Sequence, residues 1–244
     1  MSMGRALGQS YHLSDGVWSD GTNCETAVSG LYAAGDCLGA RSGYPMAGFA
    51  AAFCAVSGAR AGTNAALYAQ KTASAELDTA QVEVMKERLW APRKRVGGLS
   101  PKWTLQVIQE TVTPYWVLLY KKESCLQAAL ENIEFIRDNI VPKLIAYDNH
   151  DLRLCHEVRN IVLHMEMKLR ASIFRKESRW YHYREDYPLR DDENWLCWVK
   201  IQNQNGEMTF TKVPVPEEWR PDPNKPYAER YPQAFPNEPD VLPN

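Results

Sequence analysis

Two short stretches of this 244-residue chain carry residue types and spacings that could do chemistry. The first is Val28-Ser29-Gly30-Leu31-Tyr32-Ala33-Ala34-Gly35-Asp36, a turn followed by an apolar run that ends in Gly-Asp. The pattern predicts a turn followed by a short buried strand that ends in Gly35-Asp36. Asp is common as a turn or helix cap, so Asp36 alone is a weak signal. The second stretch interleaves Glu177, Ser178, Arg179, His182, Arg184, Glu185, Asp186, Arg190, Asp191 and Asp192, which reads either as a catalytic acid–base and anion-binding group or as a charge network that fixes one segment against another. Arg41 is a loop arginine, suited to an anionic ligand or simply to solvent. His150, His156 and His164 fall on a helical pattern and read as surface or satisfied core residues. The six cysteines show no C-x-x-C spacing, which speaks against a zinc or iron–sulfur site built by this chain and for reduced thiols of a cytoplasmic protein.

The elements that position these residues differ along the chain. Eleven of 14 glycines lie in the first 62 residues and nine of 15 prolines lie after residue 213, which divides the chain into three segments. Residues 1–72 alternate apolar stretches with Gly-rich turns and continue into an Ala-rich helix from Ala47 to Ala69, small enough in its side chains to be buried closely against a sheet or ligand. Residues 73–176 predict an antiparallel three-helix bundle. Ser100-Pro101 starts one helix, and Ser124 starts another with Leu126, Leu130, Ile133, Ile136 and Ile140 on one face, ending or kinking at Pro142. Asp148, Asn149 or Asp151 starts a third, with Leu152, Cys155, Val162, Met165, Leu169 and Ile173 inward. In residues 177–244 a strand from Trp195 to Ile201 turns at Asn205-Gly206 and returns through Met208, Phe210 and Val213. Beyond it runs an extended Pro-rich tail without regular structure, anchored by Trp219, Tyr227, Tyr231 and Phe235. The expected class is α-rich α+β.

With 45% hydrophobic residues, 24% charged residues and a net charge of −2, the chain has no apolar run long enough to span a bilayer, no secretory signal pattern and no basic excess for nucleic acid.

The run from Thr26 through Gly30-Leu31-Tyr32-Ala33-Ala34-Gly35-Asp36 resembles the second flavin-binding motif of FAD-dependent oxidoreductases with a two-dinucleotide-type fold. Leu89-Trp90-Ala91-Pro92-Arg93-Lys94-Arg95 and, above all, the stretch from Glu177-Ser178-Arg179 to Arg190-Asp191-Asp192 with Trp195 resemble the C-terminal region of the flavoprotein subunits of succinate dehydrogenase and fumarate reductase. Adenylylsulfate reductase and L-aspartate oxidase are similar members of that superfamily. The resemblance implies FAD as cofactor, with Gly35, Asp36 and the helix start at Gly48, Phe49, Ala50 and Ala51 facing it, the positive helix end near the flavin ring. It implies hydride transfer between substrate and flavin, with Arg41, His182 and Arg184 as the candidate catalytic residues and electrons passing through a partner such as an iron–sulfur subunit.

The family's Gly-x-Gly-x-x-Gly turn and its capping domain have no counterpart here, so the resemblance implies the C-terminal part of a flavoprotein that needs a separate N-terminal FAD-binding segment or subunit. Aligned on Gly58 and Gly62, Arg41 stands where the dicarboxylate enzymes carry a His, and Pro45 where they carry an Arg. Succinate or fumarate is therefore not carried over as substrate. Trp180 replaces the glycine of the family's Ser-Arg-Gly-x-His. His12 lies one place off a family histidine and reads as structural. The same missing residues leave open a second reading, a non-catalytic assembly or partner-binding module derived from the family.

Overall fold

The computed structural model describes residues 16–19, 21–39, 49–74, 76–179 and 182–231. The chain forms two compact units, residues 1–77 and 78–244.

In the first unit, three single-residue bridges, Val17 with Leu38, Ser19 with Thr26 and Glu25 with Tyr32, organise residues 16–39. The expected strand over 31–34 is reduced to that one bridge at Tyr32. The chain then tightens into a 3-10 turn, Gly35–Cys37. Helix α1 (Phe49–Lys71) follows. Cys24, Ala33, Leu38 and Ala61 form a small apolar cluster between the bridged segment and α1. The Ala-rich helix was expected to be buried, yet of its described side chains only Ser57 and Ala61 are, and Val56 and Leu67 are exposed. The described residues of this unit include no sheet for it to lie on, so its small-residue surface has little to press against.

The second unit is helix-rich. Helix α2 (Thr79–Lys94) is capped by Asp78, whose carboxylate accepts the Gln81 amide. Helix α3 (Pro101–Val112) begins as its sequence dictates, with Ser100 as cap and Pro101, which needs no amide hydrogen there, at the first position. A short helix α4 (Tyr115–Leu118) and strand β1 (Tyr120–Lys121) lead into α5 (Glu123–Phe135). The expected Ser124 cap is not used. The Glu123 amide instead donates to the Asp186 carboxylate, 3.0 Å away, a cap supplied from 63 residues downstream. Pro142 does end the apolar pattern, but through a widened π-helical turn (Ile136–Ile140) and a 3-10 turn (Val141–Lys143), which accommodate a residue that cannot donate a backbone bond. Helix α6 (Asn149–Phe174) starts at Asp148, whose side chain accepts the Asp151 amide at 2.7 Å.

Helices α3, α5 and α6 pack on one another, and α2 also lies on α6. Their apolar stripes meet in one core containing Ile108, Leu126, Ile133, Ile136, Val158 and Val162, each at most 2% exposed. Most apolar residues picked out by spacing lie in this core, with Met165 and Ile173 partly buried at its edge.

Past α6, strand β2 (Tyr183–Arg184) pairs in parallel with β1, Tyr120 opposite Tyr183 and Lys121 opposite Arg184. Trp195, expected at the start of a strand, instead ends the short helix α7 (Asp192–Trp195), because the Asp191 side chain accepts the Asn194 amide and opens a helical turn there. The hairpin is formed by β3 (Cys197–Gln204) and β4 (Glu207–Pro214), antiparallel, with Gln204 opposite Glu207. Asn205 (φ 54°) and Gly206 (φ 92°) take the left-handed conformations that a two-residue turn requires. The tail is not wholly extended. Prolines 216 and 226 each precede a short turn, a 3-10 turn at Glu217–Trp219 and helix α8 (Tyr227–Arg230), because their fixed φ suits the residue before a helical start. Trp219 stays exposed, whereas Tyr227 and Tyr231 bond back to the 179–192 segment. Phe235 lies outside the described residues.

Candidate functional site

In the first unit the candidate site is built around Gly35. Its φ of +60° is a conformation that side chains disfavour, and a Cβ there would approach the Cys54 sulfur to 3.1 Å. The Gly35 amide donates to Ser57 Oγ at 2.9 Å, and Ser57 in turn donates to the Phe53 carbonyl one helical turn back. This seats the turn on α1 and leaves Asp36 on the exposed side, with the Cys54 thiol 3.9 Å from its Oδ1. The turn's backbone is thus fixed while the Asp36 carboxylate faces outward, an arrangement suited to accepting hydrogen bonds from hydroxyls of a ligand. Nothing in the sequence marks Ser57, because a serine within a small-residue helix shows no sign that it will bond a distant turn. Helix α1 begins at Phe49, and Ala51 in its first turn is exposed. Arg41, Gly48 and His12 lie outside the described residues.

In the second unit the charged stretch divides into two buried clusters. The first centres on Arg184, a fully buried side chain. Its Nε and Nη2 grip Asp186 in a fork, both at 2.7 Å, and Nη2 also reaches Glu123 at 3.0 Å. Nη1 donates to the carbonyls of Ser172, at 2.7 Å, and Ile173. All five donors are thereby engaged within the unit. Burial opposes the Arg184 charge, but its bonds to Asp186 and Glu123 outweigh that and raise its pKa. Asp186 responds in the opposite sense: burial pushes its pKa up, and Arg184 with the Glu123 amide pulls it below the usual carboxylate value. Ser178 ties the loop together, accepting the Arg184 amide at 2.8 Å and donating to the carbonyls of Arg184 and Tyr187.

The second cluster centres on Glu177, also fully buried. It accepts from Arg175, from Arg179 through two bonds of 2.8 Å, and from the Asp191 amide at 2.9 Å. Arg179 continues to Asp192 at 2.7 Å, and Asp192 accepts from Arg230 and from the Tyr231 hydroxyl. Burial, followed by the Asp192 bond, pushes the Tyr231 hydroxyl up to about 12. The Arg190 guanidinium lies over the Tyr231 ring, 4.5 Å from its centre.

His182 joins neither carboxylate cluster. Its Nε2 lies 3.2 Å from the Arg175 carbonyl, and burial together with Lys121, Arg175 and Arg184 holds its pKa well below 6.5, so the ring is neutral and donates to that carbonyl. Lys121, opposite Arg184 in the β1–β2 pair, is buried, and burial with the nearby Lys168 and Arg184 charges lowers its pKa to about 7. The sequence offers no sign of a buried lysine, since the Lys121-Lys122 pair after Tyr120 reads as solvent-facing and the pairing with β2 is long-range. The Arg179 and Arg184 guanidinium groups and the His182 Nε2 are thus all bonded within the second unit, the two arginines in separate clusters. Among the described residues no group of three or more His, Cys, Asp or Glu is placed to hold a metal, and no helix is long and apolar enough to cross a membrane.

The helix-rich second unit with its small antiparallel hairpin is similar to flavoprotein C-terminal domains. Residues 106–228 match the family described as fumarate reductase flavoprotein C-term, and the chain belongs to that family. It is 31% identical over 191 residues to an uncharacterised FAD-dependent oxidoreductase of Methanocaldococcus jannaschii, covering 78% of this chain and 34% of that protein. It is 29% identical over 204 residues to the fumarate reductase flavoprotein subunit of Haemophilus influenzae, covering 79% and 34%. Among solved structures it is similar to adenylylsulfate reductase of Archaeoglobus fulgidus, with a TM-score of 0.70, 30% identity, and coverage of 82% of this chain and 34% of that one. The chain thus spans about a third of the length of these relatives.

Proposed function

We propose that the chain is the C-terminal portion of an FAD-dependent oxidoreductase of the fumarate reductase and succinate dehydrogenase flavoprotein type. The observation that carries this reading is the family match over residues 106–228, which contains the whole Arg–carboxylate segment. In this reading residues 1–72 are the closing edge of the FAD domain, 73–176 a three-helix bundle, and 177–244 a hairpin and clasping tail. Gly35 and Asp36, with the helix start at Gly48, Phe49, Ala50 and Ala51, face the cofactor. The fixed Gly35 backbone and the outward Asp36 carboxylate fit such a role. FAD, when bound, supplies a ring that exchanges hydride with the substrate. Asp36 accepts hydrogen bonds from cofactor hydroxyls, and Arg41 orients an anionic substrate. His182 and Arg184 act as positioning residues, because their polar atoms are engaged within the second unit. The diphosphate grip and the substrate cap come from the remaining part of the flavoprotein, on this polypeptide or another. Electrons pass to a partner such as an iron–sulfur subunit in the cytoplasm.

The test is co-expression with an FAD-domain partner carrying the Gly-rich turn. A stable yellow complex, with flavin retention reduced about tenfold or more by Asp36→Ala, is the expected outcome. A complex that assembles but stays colourless would instead favour a non-catalytic assembly module. The engagement of every Arg184 donor inside the fold is the observation that lends weight to that second reading.

A further inference from the structure

An open cavity of about 490 Å³ lies among α2, the turn over 136–144 and α6. Four arginines line it, Arg88, Arg95, Arg137 and Arg159, and none of the lining residues is a carboxylate. Arg137 is neutralised from outside the cavity by Asp138, at 2.8 and 2.9 Å, and by Glu166, at 2.6 Å. Arg95 donates to the Leu144 carbonyl, which offers a dipole but no charge. For Arg88 and Arg159 no hydrogen bond or ion pair is found among the described residues.

Three of these arginines therefore line the cavity with no carboxylate bonded to them among the described residues. Their charge is felt by Arg159, whose pKa is lowered by its partial burial and then by Arg88 and Arg95. Arginine does not relieve such repulsion by losing its proton, so the cavity favours a bound anion. The floor beneath these charges is apolar, formed by Pro92, Val141, Leu144 and Val162. The volume falls in the range of roughly 300–1,000 Å³ usual for small-molecule sites. Planar guanidinium forks match the oxygens of a phosphate or sulfate, and an apolar floor beside them matches a ligand with an organic body.

We propose that this cavity binds a small organic phosphate or sulfate ester, with its oxyanion held by Arg88, Arg95 and Arg159 and its apolar body resting on Pro92, Val141, Leu144 and Val162. The inference is independent of the flavoprotein reading, since every residue it uses lies in the second unit.

The experiment titrates 1-naphthyl phosphate into the full chain and follows its fluorescence, with inorganic phosphate as the probe for the charge alone. Naphthyl phosphate should bind about tenfold or more tightly than inorganic phosphate. The double variant Arg88→Gln/Arg159→Gln should weaken it by at least about tenfold. Arg153→Gln, which removes a charge from the same helix away from the cavity, should change it less than about twofold. The proposal is overturned by no binding at millimolar ligand, by equal binding to the double variant, or by inorganic phosphate binding as tightly as the ester. A Glu-rich peptide that binds more tightly than the ester and is lost in the same double variant also overturns it, since the cavity would then be a protein docking site. Should the double variant not fold, phenylglyoxal modification of the unaltered chain decides. Protection of Arg88 and Arg159, but not Arg153, by naphthyl phosphate supports the site, and unchanged modification refutes it.

Discussion

All five donors of Arg184, a residue type that suggests catalysis, bond within the fold. Its fork on Asp186 and its bonds to Glu123 and two helix-end carbonyls join the β2 segment to the start of α5 and the end of α6. Arg184→Ala should cost about 3 kcal/mol or more in denaturant unfolding, because it strips two carboxylates and two carbonyls of their partner. Arg184→Lys should recover little of this, since an ammonium cannot reproduce the fork. Stability close to wild type in the Lys variant would contradict that account. Lys121 gives a pH signature. Its pKa is about 7 folded and 10.5 unfolded, so between those values the unfolded chain holds a proton that the folded chain has shed. Stability from this group is complete above 10.5 and is lost as pH falls through 7. Lys121→Met should therefore raise the Tm most below pH 7, with the gain shrinking toward pH 10. A gain independent of pH would show that Lys121 is not held near neutrality. Arg184 sits in a charge-rich stretch that the sequence made conspicuous and Lys121 does not, but the roles of both depend on which strand lies opposite. No local spacing conveys that.

At the scale of elements, capping signals were legible wherever the partner is local. Ser100-Pro101 starts a helix as read, Asp148 is the one of three candidate caps that is used, and Asn205-Gly206 turns the hairpin. They were misleading wherever the partner is distant. Ser124 is passed over because Asp186 reaches the helix start from the far side of the chain, and the apolar run of 31–34 forms one bridge because no strand among the described residues extends it. The Gly35 turn depends on a backbone conformation rather than on a side chain. Gly35→Ala should destabilise the first unit by about 1–2 kcal/mol, the usual cost of a left-handed residue with a Cβ, increased by the Cys54 contact. Faster amide exchange over residues 16–39, with exchange in α5 and α6 unchanged, is the expected readout. Protection unchanged across 16–39 would mean that the turn is not held as described.

For the whole molecule, the division into two units predicts where it can be cut. Glu76 and Leu77 are exposed at the junction, outside any helix or strand. Limited digestion with a glutamate-specific protease should cleave first after Glu76 and leave a fragment from Leu77 onward that keeps its helical circular dichroism. Early cleavage within α5 or α6 instead would argue against an independent second unit. The helical core was readable because its apolar spacing is long and regular, and residues such as Leu126 and Ile133 are fully buried as that spacing requires. The cofactor-facing candidates of the first unit were readable only through resemblance, since a Gly-Asp pair has little physical signature of its own.

The Asp192 carboxylate has one further consequence, for the order of events at the ribosome. The helices of the core can collapse as soon as α6 has emerged, but Asp192 waits for Arg230 and Tyr231, 38 and 39 residues later. Until they arrive, the newly made chain carries a carboxylate shared only with Arg179 and a hairpin whose following segment is not yet fastened. A chain truncated before Arg230 would thus keep Arg179 as the one guanidinium on Asp192 among the described residues and should expose its Arg–carboxylate segment to proteases.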